Sequence, residues 1–190
     1  MSAEPLRLAV VTASVRERRF GPTVTRWITA EARAYGRFDL DELDLAEAAL
    51  PSWITEECPP QVDALRPRLA AADAFLVVTP EYNRGYPASL KTLIDWYIEE
   101  WQAKPFGFVS YGGRSGALRS VDHLGSVLCD LHAVPLRDVV SFHDAWEEFD
   151  ENGRCREPEG AGAAAKVLLD RLTWWGTALR TARRERPYNR

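Results

Sequence analysis

Ala74-Phe75-Leu76-Val77-Val78-Thr79-Pro80-Glu81-Tyr82-Asn83-Arg84-Gly85-Tyr86-Pro87 decides the reading of this chain, because a continuously apolar run passes straight into a loop of prolines, glycine, asparagine and tyrosines. Five consecutive apolar residues fit a parallel strand covered on both faces, where no alternation is needed. The loop then lies at the carboxyl end of that strand, the edge at which open α/β sheets bind ligands. Proline fixes φ and lacks an N–H at Pro80 and Pro87, so the amides of Glu81, Tyr82 and Asn83 are expected to point outward as fixed donors toward a flat heterocycle. Taken alone, the same residues also make an ordinary strand-to-helix turn.

Outward from this stretch, strands and helices alternate. Residues 6–12 read as another buried strand, and Val24, Trp27, Ile28 and Tyr35 recur at helical spacing from about Pro22 to a stop at Gly36. Residues 38–45 alternate with aspartates as a more exposed strand, and the connection through Pro51, Pro59 and Pro60 is placed to cover a ligand. Val62, Leu65 and Leu69 fit a helix, but Pro67 would break an interior turn, so that helix is expected to start near Arg66. After the strand at 74–79 come a helix over 88–97, a strand over 106–111, a helix marked by Leu118, Val121, Leu124, Leu128 and Leu131, and a short strand over 136–140. Residues 143–160 are acidic and read as loop, Ala164, Leu168, Trp175 and Leu179 define a last amphipathic helix, and the tail 183–190 is expected to fray. Five strands alternating with helices predict a flavodoxin-like doubly wound five-stranded parallel sheet, order 2-1-3-4-5, in a single domain over 1–190.

In that topology three loops end inner strands and converge on one crevice. The first, Thr12 to Thr23, is small and polar and runs into a helix amino terminus. Its exposed amides, the hydroxyls of Ser14 and Thr23 and the guanidinium of Arg16 suit a monophosphate. It carries neither G-x-G-x-x-G nor the lysine of a nucleotide triphosphatase loop. The second is the 79–87 segment. The third, Ser110-Tyr111-Gly112-Gly113-Arg114-Ser115-Gly116, has paired glycines that let a ligand approach the backbone or merely relieve a crowded turn.

Composition narrows the function classes. The 190 residues are 46% hydrophobic with a formal net charge of −4, which disfavours nucleic acid and anionic membrane surfaces as main partners. No apolar run approaches a membrane span and the amino terminus lacks the order of a secretory signal, so the expectation is a cytoplasmic protein. Cys58, Cys129 and Cys155 are odd in number and widely spaced, and His123, His132 and His143 show no ligand spacing; neither a disulfide framework nor a metal site is expected.

Three segments resemble the NADPH-dependent FMN reductase family, whose members include quinone, azo-dye and chromate reductases: Ser14-Val15-Arg16; the run from Thr79 to Pro87 with Leu90-Lys91-Thr92-Leu93-Ile94-Asp95-Trp96; and Lys104-Pro105 leading to Ser110-Tyr111-Gly112-Gly113. The resemblance implies bound FMN with NADPH, or NADH, as hydride donor. It puts Ser14, Arg16 and the loop through Gly21 to Thr23 on the FMN phosphate, with Arg19 a weaker candidate. Pro80, Glu81, Tyr82 and Asn83 would border the isoalloxazine, and Ser110, Tyr111, Gly112 and Gly113 its other edge. It further implies a homodimer or homotetramer and, as acceptor, a quinone, another small molecule, or free flavin for a partner monooxygenase. Ala13, where the family usually has glycine, would crowd the phosphate turn, and Arg84 stands where relatives often carry histidine. No acid, base or nucleophile is named, because the flavin supplies the electronic chemistry. An electron carrier or a flavin-binding regulatory module without nicotinamide turnover would use the same loops.

Overall fold

The apolar run from Ala74 forms β3 (Ala74–Pro80), all seven residues of which are buried in the computed structural model, which describes residues 4–188. It pairs in parallel with β1 (Leu6–Thr12) on one side and β4 (Pro105–Tyr111) on the other. β2 (Phe38–Asp44) and β5 (Val134–Phe142) complete a five-stranded sheet of order β2-β1-β3-β4-β5 with every pairing parallel. The three central strands are buried on both faces, which is why their sequences read as apolar runs, whereas edge strand β2 alternates with aspartates.

Two apolar layers sandwich the sheet. On one face lie α1 (Gly21–Tyr35) and α7 (Pro158–Glu185), packed on Leu8, Val10, Leu76, Val78 and Val109. The other face carries α3 (Pro60–Ala71), α4 (Ala88–Trp96) and α5 (Leu118–Asp130), packed on Val11, Phe75, Val77 and Phe108; the four-residue α2 (Leu45–Ala48) follows β2. Phe75 stacks on Phe106 at 4.6 Å and meets Trp101 edge-on at 5.0 Å. Burying each such side chain contributes about 1.5–3 kcal/mol.

Five expectations are corrected. α3 begins at Pro60, not near Arg66, and runs through Pro67. Pro67 faces solvent, and its missing N–H removes only the bond to the carbonyl of exposed Asp63, while Val62, Leu65 and Leu69 stay buried. β5 is nine residues long, and the stretch 143–160 is not all loop, because α6 (Ala145–Glu148) and the first turn of α7 lie within it. The buried stripe of α7 is Ala165, Leu168, Leu169, Leu172 and Gly176, rotated from the expected face, so Trp174 and Trp175 lie outside. A Cβ on Gly176 would come within 2.9 Å of Leu6, so the stripe is set by how closely the helix approaches β1. Finally, α7 continues to Glu185 where fraying was expected. Arg183 donates to the carbonyl of Ala103 and to Asp73, and the Tyr188 hydroxyl hydrogen-bonds His132 Nδ1 at 2.6 Å; residues 189 and 190 lie outside the described residues.

At the amino edge of the sheet Lys104 is buried just before β4 and donates to the carbonyls of Leu69 and Ala70, both at 2.9 Å, at the last turn of α3. Burial pushes its ammonium down to about 7; Arg183 acts in the same sense, opposed by Asp73 and Glu100.

Candidate functional site

At the opposite edge, the loops after β1, β3 and β4 lie side by side. The first leaves β1 through Ala13, whose amide donates to Val78 at 3.0 Å and whose carbonyl accepts from Ser89 Oγ at 2.6 Å. Ala13 is fully buried in the α3–α5 core layer, so its methyl fills the core. Ser14 is buried too, and its hydroxyl shares a 2.5 Å hydrogen bond with the Tyr82 hydroxyl. The Arg16 guanidinium lies over the Tyr82 ring, 3.7 Å from its centroid, and forms no ion pair among the described residues. A third hydroxyl completes this corner. A Cβ on Gly21 would lie 2.9 Å from the Tyr111 oxygen and 3.8 Å from the Ser14 Cβ, so that glycine makes room for Tyr111 beside Ser14. The Tyr111 hydroxyl is buried beside Ser14 without forming a hydrogen bond of good geometry, and burial holds its ionisation well above the usual phenol range against the opposing effect of Ser14.

Two residues of the first loop face elsewhere. Arg19 forks onto both oxygens of Asp44, reaching Oδ2 at 2.6 Å, and donates to the Ser14 carbonyl at 2.7 Å. Its donors therefore brace the loop against the end of β2, where Asp44 also caps α2 through the Ala46 amide. Thr23 sits in the first turn of α1, its amide bonded to Phe20 and its hydroxyl accepting from Arg26 at 3.3 Å.

The second loop is tighter than its sequence implied. Tyr82 and Gly85 exchange backbone bonds of 2.8 and 3.1 Å around Asn83 and Arg84, both left-handed at φ 52° and 70°, the signature of a type I′ turn. The Tyr82 amide is thus consumed inside the turn and is no outward donor. Pro80 is buried, and its carbonyl accepts from Ser120 Oγ at 3.2 Å. Glu81 reaches across to the third loop, where its carboxylate accepts from Ser115 Oγ at 3.1 Å and Arg119 Nε at 2.8 Å. Arg119 holds the Glu81 carboxyl below its ordinary range, and Ser115 acts in the same sense against the effect of burial. Glu81 is therefore a strap between loops, and Asn83 stands exposed at the turn tip.

In the third loop Ser110 is buried and donates to the Gly116 carbonyl at 2.6 Å, which commits its hydroxyl to the loop itself. Gly116 is the glycine the fold requires: its φ is +53°, and a Cβ would stand 2.2 Å from Ser141 Oγ and 2.8 Å from His143 Nε2. Gly112 and Gly113 carry no such constraint, since added Cβ atoms would meet their nearest neighbours at 3.6 and 3.7 Å. Crowding therefore does not explain that pair. The turn after β5 completes the wall, with the amides of Asp144 and Ala145 donating to the carbonyls of Gly113 and Gly112 at 3.2 and 3.0 Å. This turn, with Trp146 beside Gly113, was missed in the sequence because it lies in an acidic stretch with no periodic signal.

The arrangement can hold an anion at the Ser14–Arg16 corner and a flat group along the glycine pair. A family profile described as NADPH-dependent FMN reductase matches residues 6–147. The chain is 36% identical over 119 residues to an NAD(P)H-dependent FMN reductase of Schizosaccharomyces pombe, spanning 58% of this chain and 60% of that one. It is 30% identical over 175 residues to an NADPH:quinone oxidoreductase of Arabidopsis thaliana, spanning 86% and 89%. Among solved structures it is similar in fold to FerB, a flavoenzyme NAD(P)H:(acceptor) oxidoreductase of Paracoccus denitrificans, with a TM-score of 0.74, 24% identity, and 91% of this chain and 98% of that one covered.

Proposed function

This chain belongs to the NADPH-dependent FMN reductase family, and from that premise we propose that it is an FMN-dependent oxidoreductase taking hydride from NAD(P)H and reducing a quinone, another small acceptor or free flavin. The observation that carries the reading is the Ser14–Arg16–Tyr82–Tyr111 corner. It brings together a guanidinium in no ion pair among the described residues, the hydrogen-bonded hydroxyls of Ser14 and Tyr82, and the buried Tyr111 hydroxyl beside them. The exposed Arg16 guanidinium is free to make charge-assisted hydrogen bonds to an oxygen-rich ligand at this corner. The donor set fits a phosphate, and the unconstrained Gly112 and Gly113 fit the close approach of a planar ring.

In this reading Ser14 and Arg16 hold the FMN phosphate, with the backbone at Gly112, Gly113 and Asn83 bordering the ring. When bound, FMN supplies hydride acceptance and onward electron transfer. The protein's work is to position it. Arg19 fixes the first loop by bracing Asp44, and Glu81 fixes the distance between the second and third loops through Ser115 and Arg119. No side chain is needed to move a proton from carbon. We read residues 1–190 as one such domain working in the cytoplasm. Assembly as a homodimer or homotetramer, and delivery of reduced flavin to a partner monooxygenase, are supported by the family resemblance alone.

Anaerobic stopped-flow absorbance of the FMN-loaded protein mixed with NADPH, and separately with NADH, tests the proposal. Bleaching of the oxidised flavin band by either nucleotide is the expected result. Bound FMN that neither nucleotide reduces would instead identify an electron carrier or a regulatory module.

A further inference from the structure

Trp146 is 60% exposed, on α6 immediately after β5. Single exposed aromatics are common on protein surfaces and by themselves mean nothing. Trp53, at 80%, is one such residue, set in the irregular connection before α3. Trp146 differs in its support. Flanking Ala145 is fully buried, and the amides of Asp144 and Ala145 are bonded to the carbonyls of the two unconstrained glycines of the third loop. The far end of the indole ring, Cη2, lies 3.7 Å from where a Gly113 Cβ would stand. An apolar plate is thus held rigidly at the lip of the crevice, beside the backbone assigned above to the flavin ring.

We propose that Trp146 is the platform on which an uncharged, planar aromatic acceptor of the quinone class rests, and so a specificity-determining residue for the second half-reaction. The inference rests on the FMN reading of the crevice. Charge selects this occupant over the nicotinamide nucleotide. Asp144, Glu147 and Glu148 lie within one turn of Trp146 and form no ion pair among the described residues; they face Arg114 on the adjoining loop and Arg156, whose amide donates to the Glu148 carbonyl at 2.8 Å, so acidic groups outnumber basic ones at this lip. A polyphosphate is repelled there, whereas a neutral ring is not. With Arg16 taken by the FMN phosphate, exposed cations stand on the first and second loops at Arg18 and Arg84, which leaves the nucleotide's phosphates that side of the crevice. Indole supplies a large stacking surface at little cost in side-chain freedom.

The test compares wild type with Trp146→Ala and Trp146→Phe, all FMN-loaded and oxidised, by equilibrium dialysis against 1,4-naphthoquinone, so that no electron transfer is required. Aromatic stacking predicts roughly 2- to 12-fold weaker naphthoquinone binding in the alanine variant and retention in the phenylalanine variant. The FMN Kd and the KM for ferricyanide, a non-planar acceptor, are expected to stay within twofold. Unchanged naphthoquinone binding in Trp146→Ala overturns the proposal, and so does a raised FMN Kd, which would put the indole on the cofactor instead. If wild type itself fails to bind FMN, the family-level reading fails and takes this one with it. Wild-type turnover with an indifferent alanine variant sinks the platform alone.

Discussion

Replacing Arg16 with alanine separates what this residue does for the fold from what it does for the ligand. In the fold it makes one contact of note, the guanidinium over the Tyr82 ring at 3.7 Å, on an exposed side chain in no ion pair among the described residues. A cation–π contact at such a site is worth about 0.5–1 kcal/mol, so the apo protein should unfold in urea with nearly unchanged stability. A charge-assisted hydrogen bond to phosphate contributes about 1.5–3 kcal/mol, or about 10- to 150-fold in Kd, so FMN affinity should fall far more than stability does. Titration of apo protein into FMN, followed by quenching of flavin fluorescence, reads the Kd directly. Arg16→Lys keeps the charge without the planar fork and should fall between wild type and alanine. An alanine variant whose Kd stays within twofold of wild type, at low salt where charge contacts are strongest, would remove Arg16 from the phosphate site.

Two further outcomes are expected. Lys104 is held near 7 in the fold and returns to its ordinary 10.5 when the chain unfolds, so between those limits the unfolded chain binds the extra proton. Stability should therefore rise with pH from about 7 toward 10 by up to about 1.4 kcal/mol per unit from this group. Urea unfolding at several pH values should show that slope in wild type and its loss in Lys104→Met, and parallel curves would refute the assignment. The loop glycines should diverge: Gly116→Ala forces a left-handed alanine into Ser141 and should cost at least about 2 kcal/mol in thermal unfolding. Gly112→Ala should leave stability within about 0.5 kcal/mol while weakening FMN binding, and the reverse pattern would exchange the roles of the two glycines.

The sheet was legible because its central strands are buried on both faces: Ala74 to Val78 can be nothing but apolar, and the loops at their ends announce themselves by composition. What stayed hidden depends on contacts between segments distant in sequence. Pro67 reads as a helix stop, and only the burial of Val62 and Leu65 before it shows that tertiary packing outweighs one missing bond. Glu81 lies in the most informative stretch of the chain, yet its role is decided by Ser115 and Arg119, 34 and 38 residues away. The three glycines of the third loop look alike in sequence. Ser141 and His143, residues of another strand and its exit, are what make Gly116 obligatory and leave Gly112 and Gly113 open. The rotation of α7 has the same origin, since a glycine at 176 carries no hydrophobic signal but permits the closest approach to β1.

The backbone bonds that join Gly112 and Gly113 to Phe142, Asp144 and Ala145 also set a timetable for the nascent chain. At roughly 5–20 residues per second, Ala145 is added about 6–25 s after Gly21, which opens the first helix. Until then the third loop has no neighbour on its β5 side, and the sheet edge at β4 is unpaired. A cofactor arriving during synthesis meets a phosphate corner without a finished wall for its ring until the chain through Ala145 has emerged and folded.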